Sequence, residues 1–162
     1  METLKRLDAT NFQGTVKCIF TVEEEIGLLG AKGVDADFLQ DVDAAFVIDR
    51  RGTGDIVTSR GGYEKFCDDS FGEFIEETAR DHGLAGWKCT AGGSSDTRIW
   101  ASHGIQSVNL SAGYYHEHSS DECLDVEGSL GTIELLMALF KEAMMMRRVV
   151  RKVERDYRVL GA

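Results

Sequence analysis

Three carboxylates stand side by side at Glu23, Glu24 and Glu25, inside the stretch FTVEEEIGLLGA that runs from Phe20 to Ala31. Adjacent acids repel one another unless a cation sits among them or water screens each one. Taken alone, the triplet also suits a helix start, where the macrodipole favours Asp and Glu. Two further features bear on the choice. Asp49 closes the apolar run AAFVID, and GYYHEHSSDE carries His116, His118 and Glu122. Carboxylates joined by an imidazole suit zinc, manganese or cobalt, whereas an all-oxygen cluster suits magnesium or calcium. Singly, Asp49 could cap a turn and His118 could be a surface loop residue; jointly the constellation points to a metal.

The elements that would position these residues alternate between strand and helix. Residues 1–9 read as a helix, and the β-branched and aromatic run Thr15 to Val22 has strand length. A loop with a short helix covers Gly27 to Gln40. Ala44 to Asp49 reads as a buried strand ending in an acid, with Asp55 to Ser59 pairing beside it. A helix is expected over Ser70 to His82, with Asp68, Asp69 and Ser70 as cap candidates and Gly83 as its stop. A short strand near Trp87 to Thr90, a glycine-rich turn and a helix from Asp96 to His103 follow. Gln106 to Leu110 is the next strand, then an extended segment Gly113 to His118, and a long helix starts at Glu127. Such alternation predicts an α/β domain with a mostly parallel or mixed sheet and helices on both faces. In open α/β sheets, sites form beyond the carboxyl ends of the strands. Three strand ends would therefore bring Glu24 and Glu25, Asp49, and His118 to one edge.

Composition excludes several classes. The chain has 162 residues, 43% of them hydrophobic, enough for one domain with a sizeable core. A formal net charge of −10 argues against a nucleic-acid binder, and no apolar run is long enough to span a bilayer. The start METLKRLDAT has no apolar core of a signal peptide. Cys18, Cys67, Cys89 and Cys123 are scattered without a C-x-x-C pair, which reads as reduced thiols in a cytoplasmic protein. A serine hydrolase would need a G-x-S-x-G elbow, and a phosphate-binding loop would need its lysine; the chain has neither.

Together the motifs resemble the co-catalytic di-zinc aminopeptidases, the group that includes bacterial leucine aminopeptidases and tetrahedral aminopeptidases. FTVEEEIGLLGA is similar to their glutamate-pair motif and VIDRRG to their strand-end aspartate motif. GGSSDTRIWASHGIQSVNLSAGYYHEHSSDE is similar to their glycine-rich substrate loop followed by the last histidine ligand. The resemblance implies a zinc-exopeptidase-like fold, incomplete at its N-terminus, and a peptide substrate with a free N-terminus. It implies that Glu24 is the general base, passing a proton from the attacking water to the leaving amine. Glu25 and His118 would bind one zinc and Asp49 the other, while Glu23 stays a solvated acid. Gly92, Gly93, Ser94, Ser95 and Asp96 would bring backbone close to the substrate, although Ser95 and Asp96 read equally well as a helix N-cap.

The family also uses an upstream H-x-D pair and a bridging aspartate, and the resemblance places Met1 inside the helix that follows them. A catalytic zinc takes three protein ligands plus water, so Glu25 with His118 leaves a vacancy. His116 alternates with His118 and would face the same side of an extended segment, as a candidate filler or as a plain loop residue. Two functions follow. Either a second chain, another copy included, completes a metallo-aminopeptidase, or the chain is an inactive peptidase-derived module that self-associates. Residues 1–140 would be the C-terminal catalytic portion and residues 141–162 a basic amphipathic helix continuing from it. In that helix Met146, Val149, Val150, Val153, Tyr157 and Leu160 recur at helical spacing, to pack back on the domain or to meet a partner.

Overall fold

A computed structural model describes residues 1–160 of the chain. The run AAFVIDRR forms β1 (Ala44–Arg51). Ala44 and Phe46 pack against one core, while Ala45 and Val47 pack against a second. A strand packed on both faces takes apolar residues at successive positions, which is why Ala44 to Val47 are continuous rather than alternating, although they are only partly buried and Ile48 is exposed. β5 (Gln106–Tyr115) lies parallel to it, with Ala44 opposite Gln106 and Ile48 opposite Leu110.

β2 (Asp55–Arg60) pairs antiparallel with β5 and parallel with β4 (Lys88–Gly92). Two short strands, β3 (Glu64–Lys65) and β6 (Cys123–Leu124), extend β2 and β5. The sheet is therefore mixed rather than mostly parallel. The reason lies between β1 and β2, where Gly52 and Gly54 take φ of 66° and 83° in a tight turn. So short a link has no room for a crossover helix, so the chain must run back.

Helices cover both faces. α3 (Asp69–Asp81), α5 (Val126–Lys141) and α6 (Ala143–Leu160) close the larger core of Phe71, Ile75, Val108, Leu110, Leu135 and Leu139. Each such side chain contributes about 1.5–3 kcal/mol relative to exposure. α2 (Leu29–Lys32) and α4 (Thr97–Ser102) cover the other face around Leu28, Leu39, Trp100 and Ile105. α1 (Glu2–Asp8) packs on α5. Asp68 caps α3 by accepting from the Ser70 amide at 3.0 Å, and Asp125 caps α5 through the Glu127 amide.

Three expected elements take another form. Thr15 to Val22 is extended, but no strand among the described residues pairs with it, so it is not part of the sheet. It is held by side chains, chiefly the Lys17 ammonium on the carbonyls of Phe38 and Gln40. The segment after Gly113 stays a strand only to Tyr115, because His116 and His118 adopt left-handed φ of 58° and 63°. The long C-terminal helix breaks at Glu142 into α5 and α6. α6 packs back through Val150 and Val153, while Tyr157 and Val159 stay exposed; the Leu160 side chain lies outside the described residues. Among the described residues no helix is long and apolar enough to cross a membrane.

Candidate metal and catalytic site

The glutamates are delivered by a turn that folds the chain back on itself before α2. Glu23 sits at φ 58°, and the amides of Gly27 and Leu28 both donate to the Glu24 carbonyl. Two residues on, the Gly30 amide donates to the Val22 carbonyl at 2.9 Å. A Cβ on Gly30 would collide with the Val22 backbone, so only glycine lets the strands of this turn close. The result sends Glu23 and Glu25 to the surface and leaves Glu24 half-buried.

Asp49 stands where β1 loses its regular register against β5, between Ile48 and Arg50. Its amide donates to Asn109 Oδ1 at 3.1 Å, and Asn109 is itself buried in β5. That bond fixes the end of the strand and frees the carboxylate to face the site. His118 arrives from the loop after β5, which Arg51 clasps through Glu117 at 2.7 Å. The His118 Nδ1 lies 3.3 Å from Glu25 Oε1, and its amide donates to Glu122 Oε2 at 3.1 Å. His116 points elsewhere, into a cleft of about 300 Å³ shared with Arg50, Arg51 and Tyr114. The left-handed turn at both histidines breaks the alternation that would have put them on one side.

The acids at this edge feel one another. Partial desolvation raises the Glu24 pKa above its usual range, and Asp49, Glu25 and Asp96 raise it further while His118 opposes them. Asp49 is raised in the same way, by desolvation first and then by Asp96 and Glu25, again with His118 opposing. Solvent reaches Asp49 from the open side, yet protein encloses it on the others closely enough for this penalty to act.

In the glycine-rich turn, β4 ends at Gly92, whose α-carbon lies so close to Val57 that a Cβ would sit 2.6 Å from Cγ1. Gly93 and Ser94 are exposed beside the site edge, whereas Ser95 and Asp96 are buried. Ser95 accepts from the Thr97 amide and donates to the Thr97 hydroxyl. Asp96 makes no capping bond to α4; one of its oxygens accepts the Thr21 hydroxyl and the other, Oδ1, is buried without a partner among the described residues. Thr21, Asn109 and Arg51 thus support the site although the sequence pattern did not single them out. Only Asn109, an amide between Val108 and Leu110, carried a signal, since a polar residue in a buried strand must find a partner.

The donor set fits a metal in part. Glu25 with His118 is a carboxylate–imidazole pair of the kind zinc takes. No three His, Cys, Asp or Glu side chains among the described residues converge closely enough to hold an ion by themselves.

Comparison with known proteins bears on the family and the fold. The family model of the M42 glutamyl aminopeptidases matches residues 1–135. An uncharacterized protein, YqjE of Bacillus subtilis strain 168, is 33% identical over 82 residues; the match covers 51% of this chain and 22% of that protein. This chain therefore spans less than a quarter of that relative's length. Among solved structures, the aminopeptidase PepT of Bacillus cereus ATCC 10987 superposes with a TM-score of 0.74 at 20% identity, over 87% of this chain and 68% of PepT. That likeness is one of fold: a mixed sheet flanked by helices.

Proposed function

Because this chain belongs to the M42 glutamyl aminopeptidase family, we propose that it is the catalytic portion of a metal-dependent aminopeptidase acting on the free N-terminus of peptides. The observation that supports the reading is Glu25 and His118 standing 3.3 Å apart, with Glu24 and Asp49 near enough for their charges to act on one another. Glu25 and His118 would hold one metal and Asp49 a second, zinc best suiting the mixed donors, with manganese or cobalt as substitutes. Bound there, the metal supplies Lewis acidity toward the attacking water and the scissile carbonyl.

Glu24 does the proton work. Its carboxyl is half-buried and its pKa raised, which brings a carboxylate closer to the basicity a general base needs near neutral pH. It takes the proton of the attacking water and returns it to the nitrogen of the leaving amine. Gly93 and Ser94 offer backbone to an extended peptide, and Gly92 lets that turn lie flat on Val57.

Completion by another chain fits two features. Among the described residues β1 is paired on one side alone, and the Thr15–Val22 segment exposes Phe20 at 75% and Val22 at 67%. Unpaired backbone beside exposed apolar side chains favours strand addition. Such an added chain, or another copy, would also bring the ligands that Glu25 with His118 and Asp49 lack. The four free thiols, Cys18, Cys67, Cys89 and Cys123, fit a cytoplasmic setting.

The deciding experiment is metal content per chain after dialysis, on protein sized by light scattering, followed by turnover of aminoacyl anilides. Stoichiometric zinc or manganese with turnover supports the peptidase. Metal-free protein that self-associates and turns nothing over would instead identify an inactive module built on the peptidase scaffold.

A further inference from the structure

Beyond the end of β1 a cleft of about 300 Å³ opens, with Arg50, Arg51, Tyr114 and Tyr115 on its walls. Each arginine has a structural task there. Arg50 Nε donates to Asp55 Oδ2 at 2.9 Å, which ties the strand across the turn of Gly52 and Gly54. Arg51 Nη1 donates to Glu117 Oε1 at 2.7 Å and holds the loop after β5. Either task needs one N–H, whereas a guanidinium carries five and keeps its charge.

What is left over has a definite shape. Arg50 retains its Nη1–Nη2 edge and Arg51 its Nε–Nη2 edge, neither of them engaged among the described residues. A complete two-donor edge is the arrangement that takes a carboxylate or phosphate through parallel bonds. The hydroxyls of Tyr114 and Tyr115 add donors to the same walls. The Arg50 side chain is 24% exposed, so most of it is withdrawn from the water that would otherwise serve those donors. The acids on the walls, Asp55 and Glu117, are each committed to one of the arginines. The unspent capacity is therefore one of donors, which suits an anion rather than a metal ion or an ammonium.

The backbone bearing both arginines is fixed in advance. The Gly52 amide donates to the Tyr114 carbonyl at 2.8 Å, and the Gly52 carbonyl accepts from the Gly113 amide at 3.0 Å. Ser111 Oγ donates to the Arg51 carbonyl at 3.1 Å and accepts from the Asp55 amide at 3.0 Å. Little backbone ordering then opposes a ligand.

We propose that this cleft binds a small oxyanion, a carboxylate or a phosphate group, on the free edges of Arg50 and Arg51, apart from any metal at Asp49. The test is calorimetric titration of the full chain, dialysed against chelator so that no metal holds the anion, with inorganic phosphate and with glutarate. Arg50→Lys, Arg51→Lys and Tyr114→Phe are titrated beside it. Lysine keeps the charge and the ion pair but has no two-donor edge, so a general attraction to positive charge would survive the change. Saturable binding of at least one anion is expected, weaker by about tenfold in each lysine variant at an unchanged melting temperature. Saturation by phosphate alone assigns a phosphate ligand, and by glutarate alone a carboxylate. Tyr114→Phe is expected to lose affinity by a smaller factor, and it keeps the idea testable if a lysine variant folds poorly. A parent that saturates with neither anion by about 20 mM overturns the inference. So does binding that all three variants retain within about twofold, the mark of an adventitious ion only.

Discussion

His118 Nδ1 stands 3.3 Å from Glu25 Oε1, although both side chains are mostly exposed. A loop imidazole and a turn carboxylate have little to gain from each other in water, since exposed pairs contribute almost nothing to stability. Their meeting is better understood as pre-arrangement of two ligands. His118→Ala should therefore leave urea stability within about 0.5 kcal/mol of the parent, as surface changes do. The same variant should bind zinc more weakly, read by competition with a chromophoric chelator. A large stability loss without any change in zinc affinity would make the pair structural.

Glu24 and Asp49 carry a different signature, because their pKa values are raised in the folded chain. A carboxyl that binds its proton more tightly folded than unfolded favours the fold at low pH. That advantage disappears as pH rises through the interval between the two pKa values. Metal-free Glu24→Gln should then be more stable than the parent at pH 7, with the difference closing in acid below the ordinary glutamate range. Urea midpoints at both pH values check the sign. With metal present, Glu24→Gln should abolish turnover by a factor of about 10² or more while binding metal nearly as the parent does. Equal turnover would remove Glu24 from the role of base.

Gly30 tests the turn that presents these acids. A methyl group there would strike the Val22 backbone, and backbone cannot step aside as a side chain can. Gly30→Ala should cost about 1–3 kcal/mol, the usual range for overpacking. It should also weaken metal binding, because Glu24 and Glu25 ride on the displaced segment. Gly27→Ala is the control of opposite kind: open space surrounds that position but its φ is 113°, so its cost is strain without collision.

The thiols offer a simple check of burial. Cys67 is buried and its pKa is pushed up to about 12, by burial first and by Cys89 second. Cys89, although exposed, is also pushed up to about 12, by desolvation and then Glu76. The thiolate is the reactive form, so both should react slowly with a disulfide reagent at pH 8. Cys18 and Cys123 are exposed and should give two fast equivalents per chain. Fast reaction of the buried Cys67 would mean that the α3 face opens readily.

Much of this was legible because the decisive patterns are local. AAFVID announced a strand, which packs on both faces but is only partly buried, and Asp68 announced the start of α3. What escaped the sequence was non-local. Whether Thr15–Val22 is a strand depends on a partner that no pattern inside the segment can supply. The fate of the HEH alternation depended on two left-handed residues, a conformation histidine tolerates but does not advertise. Asp96 looked like a cap because its spacing before α4 is that of a cap. Only packing revealed that Ser95 had taken that task and left Asp96 buried without a cap bond.

The same unpaired segment yields the last prediction. Phe20 and Val22 are two residues apart, so on an extended chain they share one face, and both are exposed. If a second chain or copy adds along this edge, that face becomes its contact. Light scattering should then give a mass above that of one chain, and Phe20→Lys should return it to a single chain without lowering the melting temperature of the isolated fold. Metal content should fall together with the mass if the added chain carries ligands. A parent that is a single chain at every concentration and still holds stoichiometric metal would show that Glu25, Asp49 and His118 need no partner, and strand addition here would be refuted.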